Sequence, residues 1–255
     1  MELDKDLRSR QEARDLACKA EAAAGKLAGL GQEGLDRIVK AIAEAGMAHA
    51  RELAELACTE TGFGNVADKT KKNEFAAGRV YEAIRDQKTV GIIAEHPAEK
   101  LLDVGVPVGV VAGIVPSTNP TSTVIYKAMI CLKAGSAIVF SPHPGAARCT
   151  LRAVEIVSAA ARTAGCPDGA ISALTTPTMA AVDELMKHDA VRLILATGGP
   201  GMVKAAYSSG KPAIGVGAGN GPAYIHRTAD VAKAVSDLIA SKTFDNGTVC
   251  PDADG

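Results

Sequence analysis

From about residue 90 to residue 243, short apolar stretches alternate with longer amphipathic ones, and this alternation constrains the fold more than any other feature of the chain. Short apolar runs are typical of buried strands, and longer periodic runs are typical of helices. The predicted strands are Val90–Ala94, Leu101–Val106, Val108–Val115, Ala137–Phe140, Ala170–Leu174, Val191–Ala196, Ala213–Val216 and Ala223–Ile225. The predicted helices among them are Thr121–Leu132, Ala146–Thr163, Met179–Lys187, Gly201–Ser208 and Ala229–Thr243. Such alternation predicts an α/β fold, in which helices cover both faces of a parallel sheet.

The first third of the chain has a different pattern, which predicts a layer of helices. Apolar residues recur at helical spacing over Gln11–Leu30, Leu35–Thr61 and Asp68–Arg85. We interpret the charged run Asp68–Lys72 as the solvated start of the third helix. The two strands predicted before Pro107 indicate a small antiparallel hairpin beside the main sheet.

Composition excludes several classes of function. The 255 residues are 47% hydrophobic and 22% charged, which is sufficient for a large core. The net charge is −1, from 28 basic and 29 acidic residues, and there are only four Phe, four Tyr and no Trp, so a nucleic-acid partner is not expected. The longest apolar run, Val104–Pro116, is too short to span a membrane, and Met1–Arg10 fits no signal peptide. We therefore expect a cytoplasmic protein without a membrane partner, and the sequence leaves residence in a bacterial microcompartment open.

The cysteines and histidines do not predict a metal site. The six cysteines include no C-x-x-C pair, and the five histidines include no pair four residues apart. Scattered cysteines of this kind are typical of reduced thiols in the cytosol.

Ligands of parallel α/β sheets bind at the carboxyl ends of the strands, so the residues that follow each predicted strand are the candidate site. The strand Val108–Val115 is followed by the polar turn Pro116–Ser122. The Ser, Thr and Asn residues of this turn are suited to cap a helix. Asn119 lies between Pro116 and Pro120, and an amide held rigidly there could instead donate to an oxyanion.

Two further strand ends lead into turns rich in Pro and Gly. Ser141–Gly145 follows the strand Ala137–Phe140 and is suited to lie against the ribose or phosphates of a nucleotide, although His143 alone also fits an ordinary loop histidine. Thr197–Gly201 follows the strand Val191–Ala196 and opens a helix, so its backbone N–H groups suit an anion. A tight strand–helix turn without a ligand would have the same composition.

Two motifs near the end of the sequence remain. Gly215–Gly221 is not a Rossmann fingerprint, because the G-x-G-x-x-G spacing is absent and a strand is predicted to follow it. Its glycines still indicate close approach to a ligand or to another loop. Cys250 follows the polar stretch Phe244–Val249, and its thiol is either a nucleophile with a stabilised thiolate or an ordinary cysteine.

The distinctive stretches, in chain order, are Gln11-Glu12-Ala13-Arg14, Glu60-Thr61-Gly62-Phe63-Gly64, Asp68-Lys69 with Lys72-Asn73, Pro116-Ser117-Thr118-Asn119-Pro120-Thr121-Ser122, Ser141-Pro142-His143-Pro144, Thr197-Gly198-Gly199 and Gly247-Thr248-Val249-Cys250. Together they resemble the aldehyde dehydrogenase superfamily. The resemblance is closest to the CoA-acylating branch, the acetaldehyde dehydrogenases (acetylating) that also form the N-terminal part of bifunctional aldehyde–alcohol dehydrogenases. It extends from about Gln11 to Cys250. It implies a Rossmann-type parallel sheet with an N-terminal helical layer and a small antiparallel bridging hairpin.

The resemblance also implies residue roles. Cys250 would attack the aldehyde carbonyl, and Asn119 would donate its amide to the resulting oxyanion together with the Cys250 backbone N–H. NAD would accept a hydride, and coenzyme A would take the acyl group, so the substrates would be a small aldehyde or an acyl-CoA. The residues expected to bind the cofactor are Pro116, Ser117, Thr118, Ser141, Pro142, His143, Pro144, Thr197, Gly198, Gly199, Val216 and Gly217.

Two departures from the family pattern refine this expectation. Hydrolytic relatives carry a glutamate just before the glycine-rich turn, whereas this chain has Ile214–Gly217 there, and a thioester without a base to activate water favours a thiol acceptor. After Cys250, Pro251–Gly255 does not match the family, whose chains continue into a catalytic domain.

The expected organisation is a helical layer over 1–88, a bridging hairpin over 89–107, an NAD-binding α/β domain over 108–247 and a truncated start of the catalytic domain over 248–255. The rest of the catalytic domain is expected to be absent. The whole of 1–255 could also count as one domain. We expect the chain to be inactive by itself, although the full-length family forms homo-oligomers. The alternatives are a non-catalytic module that binds NAD or CoA, and a fragment that interacts with oligomers of its relatives.

Overall fold

A computed structural model describes residues 4–217, 219 and 222–248. The helices are α1 (Lys5–Leu27), α2 (Gly31–Ala48), α3 (Ala50–Thr61), α4 (Val66–Glu74), α5 (Val80–Ile84), α6 (Pro120–Lys133), α7 (Ala147–Thr163), α8 (Met179–Lys187), α9 (Pro200–Tyr207) and α10 (Val231–Thr243). The strands are β1 (Gly91–His96), β2 (Leu101–Gly105), β3 (Val110–Ile114), β4 (Ala137–Ser141), β5 (Ile171–Ala173), β6 (Val191–Thr197) and β7 (Ala213–Val216). A π-helical segment, Phe75–Arg79, separates α4 from α5, and 3-10 turns lie at Pro144–Ala146 and Phe244–Gly247.

The main sheet has five parallel strands in the order β5-β4-β3-β6-β7. Every residue of β3 and β4 is buried, as continuous Val, Ile and Ala runs predict for strands that are covered on both faces. The chain runs outward from β3 to β5 and then returns to β6 on the other side of β3, so strand order reverses between β3 and β6. The predicted α/β class and parallel sheet are confirmed.

The N-terminal helices cover this sheet. In α1, Ala13, Ala17, Ala20 and Ala24 recur at helical spacing and are all buried, and their small side chains let the helix lie close to α8 and β4. Helix α2 buries a larger apolar face that includes Ile38 against α6 and α7. The predicted helical layer is thus part of the same core as the sheet.

Three details of the predicted secondary structure are wrong. The predicted helix Leu35–Thr61 is divided at His49, because α2 packs on α6 and α7 whereas α3 packs mainly on α4. The predicted helix Asp68–Arg85 is interrupted by the π-helical segment. The predicted strand Ala223–Ile225 is irregular: it pairs with none of the described strands, and Tyr224 is 86% exposed.

Strands β1 and β2 form the predicted antiparallel hairpin. Its apolar side chains Ile92, Leu101, Leu102 and Val104 are exposed. Within the described part of the chain, no helix combines the length and the hydropathy needed to cross a membrane.

Candidate active site

The carboxyl ends of four neighbouring strands surround one cleft of about 740 Å³. Residues 114–119 come from the end of β3, 141–144 from β4, 197–200 from β6, and 216, 217 and 219 from β7. The cleft therefore lies where the strand order reverses, which is the usual position of a ligand site in an open parallel sheet. All twelve residues expected to bind a cofactor line it, and so does Asn119.

The turn after β3 is built by main-chain hydrogen bonds. The Val115 N–H donates to the Ser141 carbonyl at 3.0 Å, which extends the β3–β4 ladder up to Pro116. Asn119 then stands at the start of α6, followed by Pro120, and its carbonyl accepts from the Thr123 N–H at 3.2 Å. The Asn119 side chain makes no capping hydrogen bond. Of the two interpretations of this turn, helix capping does not involve the Asn119 amide, so the amide remains available as a donor to an oxyanion.

The Asn119 amide is instead oriented by a lysine. Lys72 Nζ donates to Asn119 Oδ1 at 2.7 Å. Because an ammonium group can only donate, the amide oxygen must face Lys72, and the NH₂ group must point away from it. Asn119 Nδ2 lies 3.3 Å from the Thr248 carbonyl, two positions before Cys250 in the sequence. The donor end of the amide is thus directed toward the loop that leads to the expected nucleophile.

The interpretation of Asp68–Lys72 as a solvated helix start is wrong for two of its lysines. Lys69 is 3% exposed, and its ammonium group contacts Asp245 Oδ2 at 3.1 Å and the Thr118 carbonyl at 2.7 Å. Lys72 Nζ forms a close ion pair with the same Asp245 oxygen. Burial lowers the pKa of Lys72, against the opposing effect of the hydrogen bond to Asp245. We call Lys69, Lys72 and Asp245 the ionic cluster.

Asp245 is fully buried, and four groups donate hydrogen bonds to its carboxylate. Oδ1 accepts from the Asn65 N–H at 2.9 Å, and Oδ2 accepts from the Thr248 hydroxyl at 2.6 Å, in addition to the two lysines. Burial would raise the pKa of Asp245, but the hydrogen bonds from Lys72, Thr248, Asn65 and Lys69 outweigh it and lower the pKa below its ordinary value. The carboxylate therefore stays ionised.

The loop that carries Asp245 has an unusual backbone. Asp245, Asn246 and Gly247 have φ values of 51°, 55° and 80°, so three successive residues are left-handed. The Asp245 N–H donates to Asp68 Oδ2 at 3.0 Å, and Asn246 Nδ2 donates to the Gly64 carbonyl at 3.0 Å. Contacts with the N-terminal layer, about 180 positions away in the sequence, hold this conformation.

Gly64 makes this contact possible. A Cβ atom at this position would lie 1.9 Å from Asp245 Oδ1, and the residue also has a φ of +71°. No other residue type permits the carboxylate to approach so closely.

The turn after β4 places Ser141, a cleft-lining residue, with its hydroxyl buried. Ser141 is 1% exposed, and its Oγ has no hydrogen-bond partner among the described residues. His143 Nδ1 accepts the Gly145 N–H at 3.0 Å, so this histidine shapes its own turn, as an ordinary loop histidine would, while also lining the cleft.

The turn after β6 joins the ends of β6 and β7. The Gly198 N–H donates to the Val216 carbonyl at 3.2 Å, and α9 begins at Pro200 with its N-terminus at the cleft. Thr197 Oγ1 lies 3.3 Å from the Tyr126 hydroxyl. Within Gly215–Gly221, Gly215 lies close to α9, since a Cβ atom there would lie 2.6 Å from Val203 Cγ1. Ala218, Asn220 and Gly221 lie outside the described residues, so the approach to a ligand or another loop expected from this motif stays a prediction.

Some residues that line the cleft were not predicted from the sequence. Pro177, Thr178, Met179, Val182 and Met202 supply an apolar wall of the cleft from the start of α8 and from α9. These residues could have been predicted from the order of elements. Helix α8 follows β5, so its start lies at the same edge of the sheet as the other strand ends.

Lys127 was also missed. It is 2% exposed and donates to the Ile114 and Leu195 carbonyls at 2.7 and 2.8 Å, which joins β3 to β6 where the strand order reverses. Burial lowers its pKa to about 7. In either protonation state its amine has at least two N–H donors, one for each carbonyl.

Cys250 and Val249 lie outside the described residues. Among the described cysteines, burial raises the pKa of Cys131, Cys149 and Cys166 to about 12 each, so all three are protonated thiols at neutral pH. The residues that the structure describes include no cluster of His, Cys, Asp and Glu suited to a metal ion.

A parallel α/β sheet with a cleft at its switch point, lined by Pro- and Gly-rich turns, is the architecture typical of doubly wound α/β proteins. Comparison with known proteins gives the family: the model of the aldehyde dehydrogenase family matches residues 6–254. The chain belongs to this family.

The relatives include acylating enzymes. The bifunctional aldehyde-alcohol dehydrogenase AdhE of Escherichia coli (strain K12) is 50% identical over 219 residues, which are 86% of this chain and 25% of that protein. A crystal structure of an acetylating aldehyde dehydrogenase from Geobacillus thermoglucosidasius has a TM-score of 0.95 and 58% identity, over 97% of this chain and 55% of that one. A propionaldehyde dehydrogenase from Rhodopseudomonas palustris, solved with bound CoA and an acylated cysteine, has a TM-score of 0.81 and 31% identity, over 92% and 54%. The chain thus spans about a quarter of the curated relative and about half of the two structures.

Proposed function

We propose that this chain forms the nucleotide-binding side of a CoA-acylating aldehyde dehydrogenase, which interconverts an aldehyde plus CoA and an acyl-CoA, with Cys250 as nucleophile and NAD as cofactor. The observation that carries the proposal is the position of Asn119. Its amide lies in the cleft at the switch point, and its NH₂ group is directed toward the loop that precedes Cys250. The proposed location is the cytoplasm.

The size and lining of the cleft support a dinucleotide cofactor. Its volume of about 740 Å³ lies within the range of about 300–1,000 Å³ that is usual for ligand sites. The buried Ser141 hydroxyl would bond a ribose hydroxyl, the start of α9 with Gly198 and Gly199 would face the phosphates, and Met179 and Met202 would contact a flat ring. NAD, when bound, supplies a hydride acceptor.

The chain's own residues perform the remaining chemistry. The Cys250 thiolate adds to the aldehyde carbon, the carbonyl oxygen becomes an oxyanion, and the Asn119 NH₂ group donates a hydrogen bond to that oxygen. Loss of hydride from the thiohemiacetal leaves an acyl thioester on Cys250. The CoA thiolate then attacks this carbonyl, and Cys250 Sγ leaves as a thiolate.

The choice of thiol over water as acceptor is supported by the cleft lining. Its described residues include neither Asp nor Glu. Deacylation by water requires a positioned base, whereas a thiolate attacks without one.

The experiment is acylation of the purified chain with a short acyl-CoA, followed by intact-mass and peptide analysis. We expect one acyl adduct on Cys250, which the Cys250→Ser variant loses. Cys18 is an exposed thiol and provides the matched control, so the Cys18→Ser variant should keep the adduct. An adduct that survives Cys250→Ser, or none in the wild type, would contradict the proposed chemistry. Because the chain by itself is not expected to turn over, NADH formation from acetaldehyde, CoA and NAD is measured with the catalytic domain of a full-length relative added, as the second readout.

A second candidate is a binding module without catalysis, which the cleft alone favours. Calorimetric titration with NAD distinguishes the two functions, because saturable binding without Cys250 acylation identifies the module. A third candidate is a fragment that binds oligomers of its relatives. The exposed apolar side chains of the β1–β2 hairpin favour this role, and co-sedimentation of the chain with a full-length relative tests it.

A further inference from the structure

The ionic cluster joins three segments that are far apart in the sequence. Lys69 and Lys72 belong to α4, Asp245 belongs to the loop before Cys250, and the two ammonium groups also reach the turn after β3. Two ammonium groups share one carboxylate, so the cluster places positive charge beside the Asn119 carbonyl oxygen.

The two lysines have different targets in that turn. Lys69 donates to a main-chain carbonyl, that of Thr118, whereas Lys72 donates to the side-chain oxygen of Asn119. Without Lys72 the Asn119 amide could rotate by half a turn and present its oxygen, rather than its NH₂ group, to a developing oxyanion. A charged donor on an amide oxygen also draws electrons from the nitrogen through the conjugated C–N bond, which strengthens the N–H groups as donors.

We infer that Lys72 is a positioning residue that fixes the orientation of the Asn119 amide and polarises it as a hydrogen-bond donor. Its catalytic significance rests on the proposed function, whereas the orientation and polarisation are properties of the chain itself. Asp245 compensates the charge that this arrangement buries.

The first test reads the amide directly, by NMR of the ¹⁵N-labelled chain. The two Asn119 Nδ2 protons are assigned by their loss in the Asn119→Ala variant. A charged hydrogen bond at the oxygen increases the double-bond character of the C–N bond, so exchange between the two proton positions should be slow in the wild type. We expect the Lys72→Met variant to shift both resonances and to accelerate this exchange on the order of tenfold, since such hydrogen bonds contribute about 1.5–3 kcal/mol.

Lys71 provides the matched control. It is the neighbouring residue, is exposed, and pairs with Asp68 rather than with Asn119. The Lys71→Met variant should leave the Asn119 resonances unchanged. The Lys72→Met variant keeps the Lys69–Asp245 pair, so the carboxylate is not left unpaired. If that variant does not fold, Lys72→Gln retains a neutral donor and should give an intermediate exchange rate.

The second test is a double-mutant cycle on the rate of Cys250 acylation. We expect Lys72→Met to slow acylation about tenfold where Asn119 is present, and to have no further effect in the Asn119→Ala background. Equal effects in both backgrounds, or Asn119 resonances that do not respond to Lys72→Met, would overturn the inference. A wild-type chain that is not acylated would count against the proposed function alone, and the NMR result would then decide the role of Lys72.

Discussion

Substitution of Gly64 by alanine should release the loop that carries Asp245. The new Cβ would lie 1.9 Å from Asp245 Oδ1 and 2.5 Å from its Cγ, so the carboxylate must move. Its movement breaks the hydrogen bond from the Asn65 N–H and the ion pairs with Lys69 and Lys72.

The expected loss in the free energy of unfolding has two parts. An alanine at a φ of +71° costs about 1 kcal/mol relative to glycine, wherever it occurs. Separation of a buried ion pair costs about 3–5 kcal/mol more, and Lys72 is only partly buried, so we take about 3 kcal/mol. The total of about 4 kcal/mol exceeds the cost of most single substitutions.

Gly62 isolates the second part. It has the same φ of +71°, but a Cβ there would have no neighbour within 4 Å among the described residues. The free energy of unfolding of the Gly62→Ala variant should therefore fall by about 1 kcal/mol. The difference in unfolding free energy between the Gly64→Ala and Gly62→Ala variants measures the cost of displacing Asp245.

The assay is hydrogen exchange at the Asn65 and Asp245 amides, which donate to the carboxylates of Asp245 and Asp68. A cost of about 3 kcal/mol should reduce their protection about a hundredfold in Gly64→Ala relative to Gly62→Ala. Equal protection in the two variants would refute the role assigned to Gly64.

Three further outcomes are expected. Hydrogen bonds from Asn65 and from the Asp245 N–H lower the pKa of Asp68 to about 2, so the free energy of unfolding should fall as the pH drops from about 4 to 2, and less so in Asp68→Asn, as measured by urea titration. The pKa of Lys127 is about 7 in the folded chain and higher when unfolded, so the unfolded state binds more protons and stability should rise from pH 7 to pH 9; a wild-type slope equal to that of Lys127→Met would contradict this. Ser141→Ala should weaken NAD binding about three- to tenfold in calorimetry with little change in thermal stability, because its hydroxyl has no partner among the described residues; an unchanged Kd would remove it from the binding site.

The sheet and the cleft were predictable from the sequence because their signals are local. The apolar runs of β3, β4, β6 and β7 mark strands, of which β3 and β4 are fully buried, and the topology of a parallel sheet brings their carboxyl ends together. Residues 116–119, 141–144 and 197–199 therefore meet without any further information about contacts between them. The break at His49 was not predictable in this way, since it depends on which helices α2 and α3 contact.

The ionic cluster was not predictable from local patterns. Lys69 and Lys72 stand in a charged run that looks solvated, and their partner Asp245 follows 176 and 173 positions later. No periodicity links residues at such a distance. Only the resemblance to a family drew attention to Asp68-Lys69 and Lys72-Asn73, and it gave no partner for them.

The sequence distance across the ionic cluster also has a consequence for folding. During synthesis, the residues of α4 emerge long before Asp245, so both ammonium groups are solvated until their carboxylate has been made. Contacts between residues so far apart in the sequence carry a large loop-closure cost and are slow to form. The left-handed loop at 245–247 can therefore reach its described conformation only against an N-terminal layer whose two lysines and Asp68 are already in position.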